Sequence, residues 1–205
     1  MMTEKNATTE KTIFDAAAQV FEEKGLDGAR MQEIADRAGI NKALLHYYFR
    51  SKEKLFDVVF NKLARDMFNK LFVCLGQDLP LEDQLVLFYK EHIGFLQQHP
   101  GIPAFLLNEI NKNPQRVIQF INAEQFELLR QHFFKQIDKE IAAGRIEEVD
   151  KIQFLANIIG LSVFPFAARG LLEMILDQHN VNFDEFIEKR KTELAQFVMK
   201  AVAKK

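Results

Sequence analysis

The residues best suited to chemistry lie in one short segment, residues 31–49. Ala35 is small enough to let two helices approach closely, and Gly39, four residues later, supplies the positive φ that a sharp turn requires. Ile40 and Leu45 would then fill the angle between the two helices. The pattern predicts a helix-turn-helix whose second helix exposes side chains suited to a DNA major groove: Asn41, Lys42, Ala43, His46 and Tyr47. A plain helical hairpin is the alternative for the same small-residue spacing.

The charge distribution favours the same segment. From residue 30 to residue 54, six basic residues stand against three acidic ones, a net charge of +3. Because the whole chain carries −2, the remainder carries −5. A local positive patch on an acidic body indicates a DNA-reading module attached to a domain of another kind.

The elements that must position this segment are helices. Apolar residues recur at helical spacing over most of the chain, and no alternating strand pattern bounded by tight turns is found. Glycine, proline and asparagine punctuate the pattern and predict helices at 9–24, 31–38, 41–48, 52–75, 82–98, 103–112, 115–143, 148–178 (bent at Pro165) and 184–203.

The sequence therefore predicts an all-α fold with a three-helix DNA-binding head, a connecting fourth helix and a larger helical regulatory and dimerisation domain. We place the boundary near residue 50. This gives a helix-turn-helix DNA-binding domain at 1–50 and a helical ligand-binding and dimerisation domain at 51–205.

Residues 13–56 resemble the N-terminal signature of the tetracycline-repressor (TetR) family of transcriptional regulators. The strongest stretches are Phe21 to Gly25, Ile34-Ala35 with Ala38-Gly39-Ile40, and Tyr47-Tyr48-Phe49 with Ser51-Lys52-Glu53. The resemblance covers about a fifth of the chain. It implies a repressor that a small-molecule effector releases from DNA, because the effector favours a body conformation in which the fourth helices have swung.

The resemblance also implies roles for individual residues. Residues 41–43 would face the bases, while His46 and Tyr47 would contact the phosphate backbone. Lys52, at the start of the fourth helix, would hold a further phosphate, helped by the positive helix N-terminus.

Two positions depart from the family's pattern. Arg30 stands where Ser or Thr usually caps the second helix, and its side chain can reach a phosphate instead. Ala43 and Leu44 replace the usual Gly and Thr after the recognition lysine. Leu44 places apolar surface where a thymine methyl group could meet it, so the base-reading code stays open.

Catalytic arrangements are missing from the sequence. Cys74 is the only cysteine, and none of the five histidines follows a glutamate at the Glu-x-x-His spacing of a di-iron bundle. Ser162 lacks the second glycine of a nucleophile elbow, and the other serine, Ser51, is placed to cap a helix. We expect no enzyme, no cofactor and no metal site.

A membrane span is not expected either. The apolar run from Phe154 to Ala168 is shorter than the roughly 20 residues that a spanning helix needs, and it contains Pro165. The first eleven residues are polar and charged, without the apolar core of a signal sequence. We expect a cytoplasmic protein without a membrane partner.

The body is rich in phenylalanine, which indicates either a packed core or an aromatic-lined cavity for a small organic effector. Arg169 would meet Glu173 one turn later, another acid, or an anionic group of the effector. The candidate effector-binding residues are His92, Phe95, Phe105, Asn108, Glu109, Phe133, Asn157 and Arg169.

Two apolar stripes are broader than the core of one subunit needs, and they predict a homodimer joined by a four-helix interface. They consist of Ile152, Phe154, Leu155, Ile158, Ile159, Leu161 and Val163 in one helix, with Gly160 among them, and Phe186, Ile187, Leu194, Phe197, Val198 and Ala201 in the last. Packing of both stripes within one subunit is the alternative.

A dimer would explain how such a short recognition helix finds a specific site. It would read a palindromic double-stranded operator whose half-sites lie about 34–36 Å apart, or a multiple of a helical turn. The alternative function is a helical protein-binding adaptor without DNA affinity, whose 31–49 segment docks on protein.

Overall fold

The predicted recognition segment lies within a run of four helices at the start of the chain. The computed structural model describes residues 2–115 and 123–204, and within them it confirms the all-α fold, with an isolated β-bridge between Ile146 and Ala203. The four helices are α1 (Met2–Gly28), α2 (Met31–Arg37), α3 (Lys42–Tyr48) and α4 (Lys52–Leu75).

The body follows α4. Its helices are α5 (Leu81–Gln98), α6 (Ile102–Lys112), α7 (Ala123–Leu129), α8 (Lys135–Ala142), α9 (Lys151–Ala167), α10 (Arg169–Gln178) and α11 (Phe183–Val202). A π-helical turn, Arg130–Phe134, joins α7 to α8. The helix predicted at 115–143 is thus interrupted, and its residues 116–122 lie outside the described residues.

The first helix is longer than the sequence pattern predicts. It begins at Met2 rather than Thr9, whereas at its other end the regular helix breaks at Gly25, as predicted, and a short helical stretch follows to Gly28. No proline or glycine stands between Met2 and Thr9, so nothing in the sequence ends the helix there. Gly25 has a φ of 65° and a ψ of −176°, a non-helical conformation that glycine adopts readily, and α1 is kinked at this residue.

The predicted bend in the 148–178 helix is present but displaced. The break lies at Ala168, where α9 and α10 meet at 78°, whereas Pro165 remains inside α9. Proline has no N–H to donate to the carbonyl four residues earlier, that of Leu161. Nη2 of Arg190 in α11 donates to this oxygen at 2.7 Å, which allows the helix to continue through the proline.

The same pair of helices is the nearest approach to a membrane span. Among the described residues, no single helix is both long and apolar enough to cross a bilayer. The helices α9 and α10 reach the required length and composition only together, and they are strongly bent where they join.

Two hydrophobic cores lie at opposite ends of α4. The first contains buried residues of α1, α2 and α3, the first half of α4, and Ile102, Phe105 and Leu106 of α6. The second contains the last residues of α4 together with α5 and the helices from α7 to α11. Since α6 adds its apolar face to the first core, the head is joined to the body by two helices rather than by α4 alone.

Candidate nucleic-acid interface

The turn between α2 and α3 has the geometry that the sequence predicts. Gly39 has a φ of 65°, its N–H donates to the Asp36 carbonyl at 3.1 Å, and the Ile40 N–H donates to the Ala35 carbonyl at 3.0 Å. This pair of hydrogen bonds is a Schellman motif, which requires a left-handed residue at the glycine position. Ala35 and Leu45 are fully buried, so the two helices are in close contact at the angle.

Helix α3 is fixed at its start by its own cap. The Oδ1 atom of Asn41 accepts a hydrogen bond from the Leu44 N–H at 2.7 Å, an interaction that stabilises a helix by about 1 kcal/mol. Lys42, Ala43 and His46 are exposed, and Tyr47 is 80% exposed. Because the Oδ1 atom serves the cap, the amide nitrogen of Asn41 is the group it can offer to a base.

The start of α4 is tied to the connection between α1 and α2. Ser51 caps the helix by accepting from the Lys54 N–H at 3.2 Å. The Nζ atom of Lys52 donates to the carbonyl of Ala29 at 3.1 Å, and the lysine is half-buried. Lys52 therefore has a structural contact in addition to any phosphate it could hold with its remaining ammonium protons.

A network of ion pairs fixes α2 on α1. Arg37 donates two hydrogen bonds of 2.6 Å to the carboxylate of Glu23 and one of 3.1 Å to Glu33, which also accepts from Lys24 at 2.6 Å. The hydrogen bonds to Glu23 raise the pKa of Arg37, and those from Arg37 lower the pKa of Glu23. Arg37 is thus occupied within the head.

The seven residues predicted to bind DNA lie at the surface, except that Lys52 is half-buried; the exposed ones are Arg30, Asn41, Lys42, Ala43, His46 and Tyr47. Arg30 precedes α2 without capping it, as its type predicts. Arg50 and Lys54 are further exposed cations beside the start of α4. The positive charge of the segment was the signal that could have included them in the predicted site.

The residues predicted to bind an effector lie in several different environments. Phe105 packs in the head core, with its ring centroid 5.5 Å from that of Phe56 and 5.8 Å from that of Phe60. Phe133 is buried in the body core and stacks on Phe154 at 6.1 Å. These two phenylalanines fill separate cores.

His92 has a hydrogen-bond partner within the body. Nδ1 of His92 lies 3.1 Å from Oγ of Ser162, which donates its own proton to the Ile159 carbonyl at 2.8 Å. The histidine must therefore donate from Nδ1. Burial lowers the pKa of His92 to about 4, so the ring is neutral at neutral pH.

Arg169 has the intramolecular partner that the sequence offers. Its Nε atom donates to Oε1 of Glu173 at 2.7 Å, and its guanidinium lies 4.5 Å from the ring centroid of Phe183. The arginine is partly exposed rather than buried. Both contacts orient it at the start of α10.

The remaining four candidates differ in burial and position. Phe95 is half-buried with its ring centroid 5.0 Å from that of His99, and Asn108 is exposed. Glu109 is buried in α6, and Asn157 lines a groove on the outer face of α9.

That groove lies between the two apolar stripes predicted for dimerisation. It has a volume of about 570 Å³ and is lined by residues of α9 and α11, among them Leu161 and Ala201. Phe164 and Phe197, which line the groove, are more than half exposed, as is Ile152 at the start of α9. Other members of the stripes are buried within the subunit: Phe154, Ile158, Ile187, Leu194 and Val198. Each stripe thus contributes both to the core and to an open apolar surface.

Comparison with known proteins relates this chain to one family. Residues 13–59 match the family of bacterial regulatory proteins called the tetR family. The chain is 24% identical over 144 residues to the HTH-type transcriptional regulator YhgD of Bacillus subtilis, covering 65% of this chain and 75% of that protein. It is 32% identical over 105 residues to the HTH-type transcriptional repressor NicS of Pseudomonas putida, about half of each protein.

Solved structures share the fold along nearly the whole chain. The TetR family regulator PfmR from Thermus thermophilus superposes with a TM-score of 0.65 at 17% identity, covering 92% of this chain and 97% of that one. A TetR family regulator from Marinobacter aquaeolei gives 0.60 at 15% identity, with 99% and 100% covered. Transcriptional regulators of this kind are not enzymes, in agreement with the prediction. The segment from residue 13 to residue 59 thus carries the DNA-binding signature of the tetR family of bacterial regulatory proteins, and the rest of the chain shares the fold of TetR family regulators.

Proposed function

We propose that the protein is a homodimeric repressor that reads a palindromic operator through α3 and releases it when a small organic effector binds the body. The observation that carries this proposal is the exposed face of α3. Its polar and aromatic side chains stand on a helix that the Gly39 turn and the Asn41 cap hold in place before DNA arrives. Because the recognition helix is already ordered before it meets DNA, no binding free energy is lost in ordering it.

The exposed side chains suggest how the contacts divide. Lys42 and the amide nitrogen of Asn41 are donors, which suits acceptors on base edges such as guanine O6 and N7. His46, Tyr47 and Arg30 would contact phosphates on either side, together with Lys52. Lys52 would then connect DNA to the Ala29 carbonyl, and so to the start of α2.

A second copy of the chain is the partner that the groove between α9 and α11 fits best. The groove combines a cavity of about 570 Å³ with exposed phenylalanines at positions 164 and 197, so each copy has both a hollow and projecting rings. A two-fold symmetric pair would fill each hollow with the partner's side chains. Such a dimer would present two α3 helices to two half-sites of a palindrome.

An effector would act through the body. The eight candidate residues, from His92 to Arg169, remain predictions, and they are spread over the two cores and the surface. An effector that binds one arrangement of α4 and α6 better than another would shift the spacing of the two heads. We also infer a cytoplasmic location, since a bacterial operator lies there.

Selection of bound fragments from the protein's own genome tests the proposal. We expect one or a few palindromic fragments to be retained, with affinity that falls as salt rises. Neighbouring genes would then suggest the class of effector. Failure to bind heparin, random duplex DNA or any genomic fragment at low salt would refute the proposal and favour the protein-binding adaptor.

A further inference from the structure

Helix α6 of the body is held against α1 of the head at both of its ends. At the C-terminal end, Nζ of Lys112 lies 3.5 Å from Oδ2 of Asp27. Between the ends, Phe105 and its neighbours are buried in the head core. At the N-terminal end, the Gly101 backbone contacts the side chain of Glu22. The position of α6 on α1 therefore sets the position of the head relative to the body.

The contact between Glu22 and Gly101 is unusually close. Gly101 is the N-cap residue of α6 and has an ordinary helical φ of −78°, so its backbone conformation does not require glycine. The space does require it. A Cβ atom at this position would lie 2.6 Å from Oε2 and 2.8 Å from Cβ of Glu22. The carboxyl group of Glu22, which receives a hydrogen bond from the Gly101 backbone, thus acts as a cap that α6 lacks from its own residues.

The surroundings of this carboxyl group do not favour its charge. Glu22 lines a cavity of about 770 Å³ between α1, Leu63 of α4 and the turn that joins α5 to α6. Burial raises the pKa of Glu22 to about 7, the hydrogen bond from Gly101 opposes the rise, and the charge of Glu23 adds to it. The other titratable groups that line the cavity are Lys11, Asp15 and Glu23 of α1 and His99 at the end of α5.

We propose that Glu22 is a positioning residue that makes the contact between α6 and α1, and through it the operator affinity, sensitive to pH near neutrality. The inference rests on the proposed function. A neutral Glu22 fits the half-buried site, whereas an ionised one is drawn towards water. The Glu22 carboxyl group binds its proton more tightly when α6 is packed on α1 than when the two helices are separated. Protonation of Glu22 therefore stabilises the contact, and the contact is weakened as pH rises through 7.

Hydrogen exchange tests the contact without DNA. In the wild-type protein, amides of residues 101–106, corrected for the intrinsic effect of pH, should exchange faster at pH 8 than at pH 6. Glu22→Gln keeps the shape of the neutral acid and cannot ionise, so it should exchange equally at both. Asp15→Asn, which removes a carboxylate lining the same cavity, should behave as the wild type. Equal protection of the wild type at both pH values would overturn the inference.

Operator affinity between pH 6 and pH 8 tests the consequence. We expect a change of roughly threefold or more in the wild type and in Asp15→Asn that is missing in Glu22→Gln. All variants share the same α3, so the difference between their pH profiles is the quantity to compare. Gly101→Ala, whose methyl group displaces the carboxyl group, should also lose the pH-dependent change.

The two proposals fail in different ways. Coincident profiles for the wild type and Glu22→Gln, with normal operator binding by both, would refute the role of Glu22 and leave the repressor proposal intact. Absence of DNA binding by every variant at every pH would refute the repressor proposal, while hydrogen exchange would still decide the role of Glu22.

Discussion

The head and the body distribute their polar groups in opposite ways. Within the described residues, the head buries apolar side chains and exposes the polar face of α3 and its cations, except for the half-buried Lys52. Among the residues whose burial is described, the buried polar or charged residues belong to helices of the body: Gln84, His92, Glu109, Glu140 and Ser162. The body also exposes large apolar residues such as Phe164 and Phe197. The contrast supports the proposal that the head binds DNA and that the outer face of α9 and α11 packs on a second copy of the chain.

The largest expected effect comes from placing a charge on the apolar face of the body. Phe197→Glu should separate the dimer, because it would bury an unpaired carboxylate in the interface. Loss of the second half-site contact should then weaken operator binding roughly a hundredfold or more. Light scattering at micromolar concentration and operator titration measure the two effects.

Leu171→Glu is the matched control for this variant. Leu171 is 52% exposed on α10, outside the groove between α9 and α11. It should leave both the molar mass and operator affinity nearly unchanged. A wild-type protein that is monomeric in solution would contradict the proposal that the apolar face of the body is a dimer interface.

The buried histidine of the body, His92, should make the folded protein less stable at acid pH. The pKa of His92 is lowered to about 4 by burial, so the unfolded state binds a proton more readily between about 4 and 6.5. The stability that the neutral His92 contributes is present above pH 6.5 and is lost as pH falls. The free energy of unfolding should decrease by about 2 kcal/mol between pH 7.5 and pH 5 for this reason.

Urea unfolding of the wild type and His92→Phe at fixed protein concentration measures this loss. The variant keeps a ring against Phe88, whose centroid lies 5.0 Å from that of His92, and should lose less stability at pH 5. Glu22 has a raised pKa and acts in the opposite sense, because the stability it contributes is lost as pH rises towards 7. The quantity to compare is therefore the difference in unfolding free energy between the wild type and the variant at each pH. An identical acid-side loss in both proteins would contradict the buried, neutral state of His92.

A smaller effect is expected at the recognition helix. Lys42→Ala should weaken operator binding by about 1–3 kcal/mol and relax the preference at one symmetric pair of base positions. The melting temperature should not change, because Lys42 is exposed. Lys90→Ala removes an exposed charge from α5 of the body and should leave binding unaltered. Normal operator affinity of Lys42→Ala would place the recognition face elsewhere.

Local features of the head could be predicted because neighbouring residues produce them. The Gly39 turn and the Asn41 and Ser51 caps depend on residues no more than five positions apart, and each is present. The bend at Ala168 was predicted at the wrong residue because a contact from α11, between Arg190 and the Leu161 carbonyl, lets Pro165 remain helical. Sequence periodicity carries no information about such a distant donor.

Contacts between distant residues account for what the sequence could not predict. His92 and Ser162 are 70 residues apart, and the helical pattern does not indicate that they meet. Phe105 follows the same helical pattern whether its helix packs on the body or on the head, and the structure places it on the head. The helices themselves could therefore be predicted from the sequence, but which helix packs on which could not. This packing is where the predicted site and the observed one differ.

Site-directed photocrosslinking tests the central claim, that α3 reads DNA bases, most directly. Ala43→Cys places a thiol on the exposed face of α3. The native Cys74 is 3% exposed and burial raises its pKa to about 11, so a photocrosslinker should attach to the introduced thiol alone. Ala104→Cys, exposed on α6, is the control. We predict crosslinks from position 43 to bases at two symmetric positions of the operator and none from position 104; equal crosslinking from both, or none from position 43, would contradict the account.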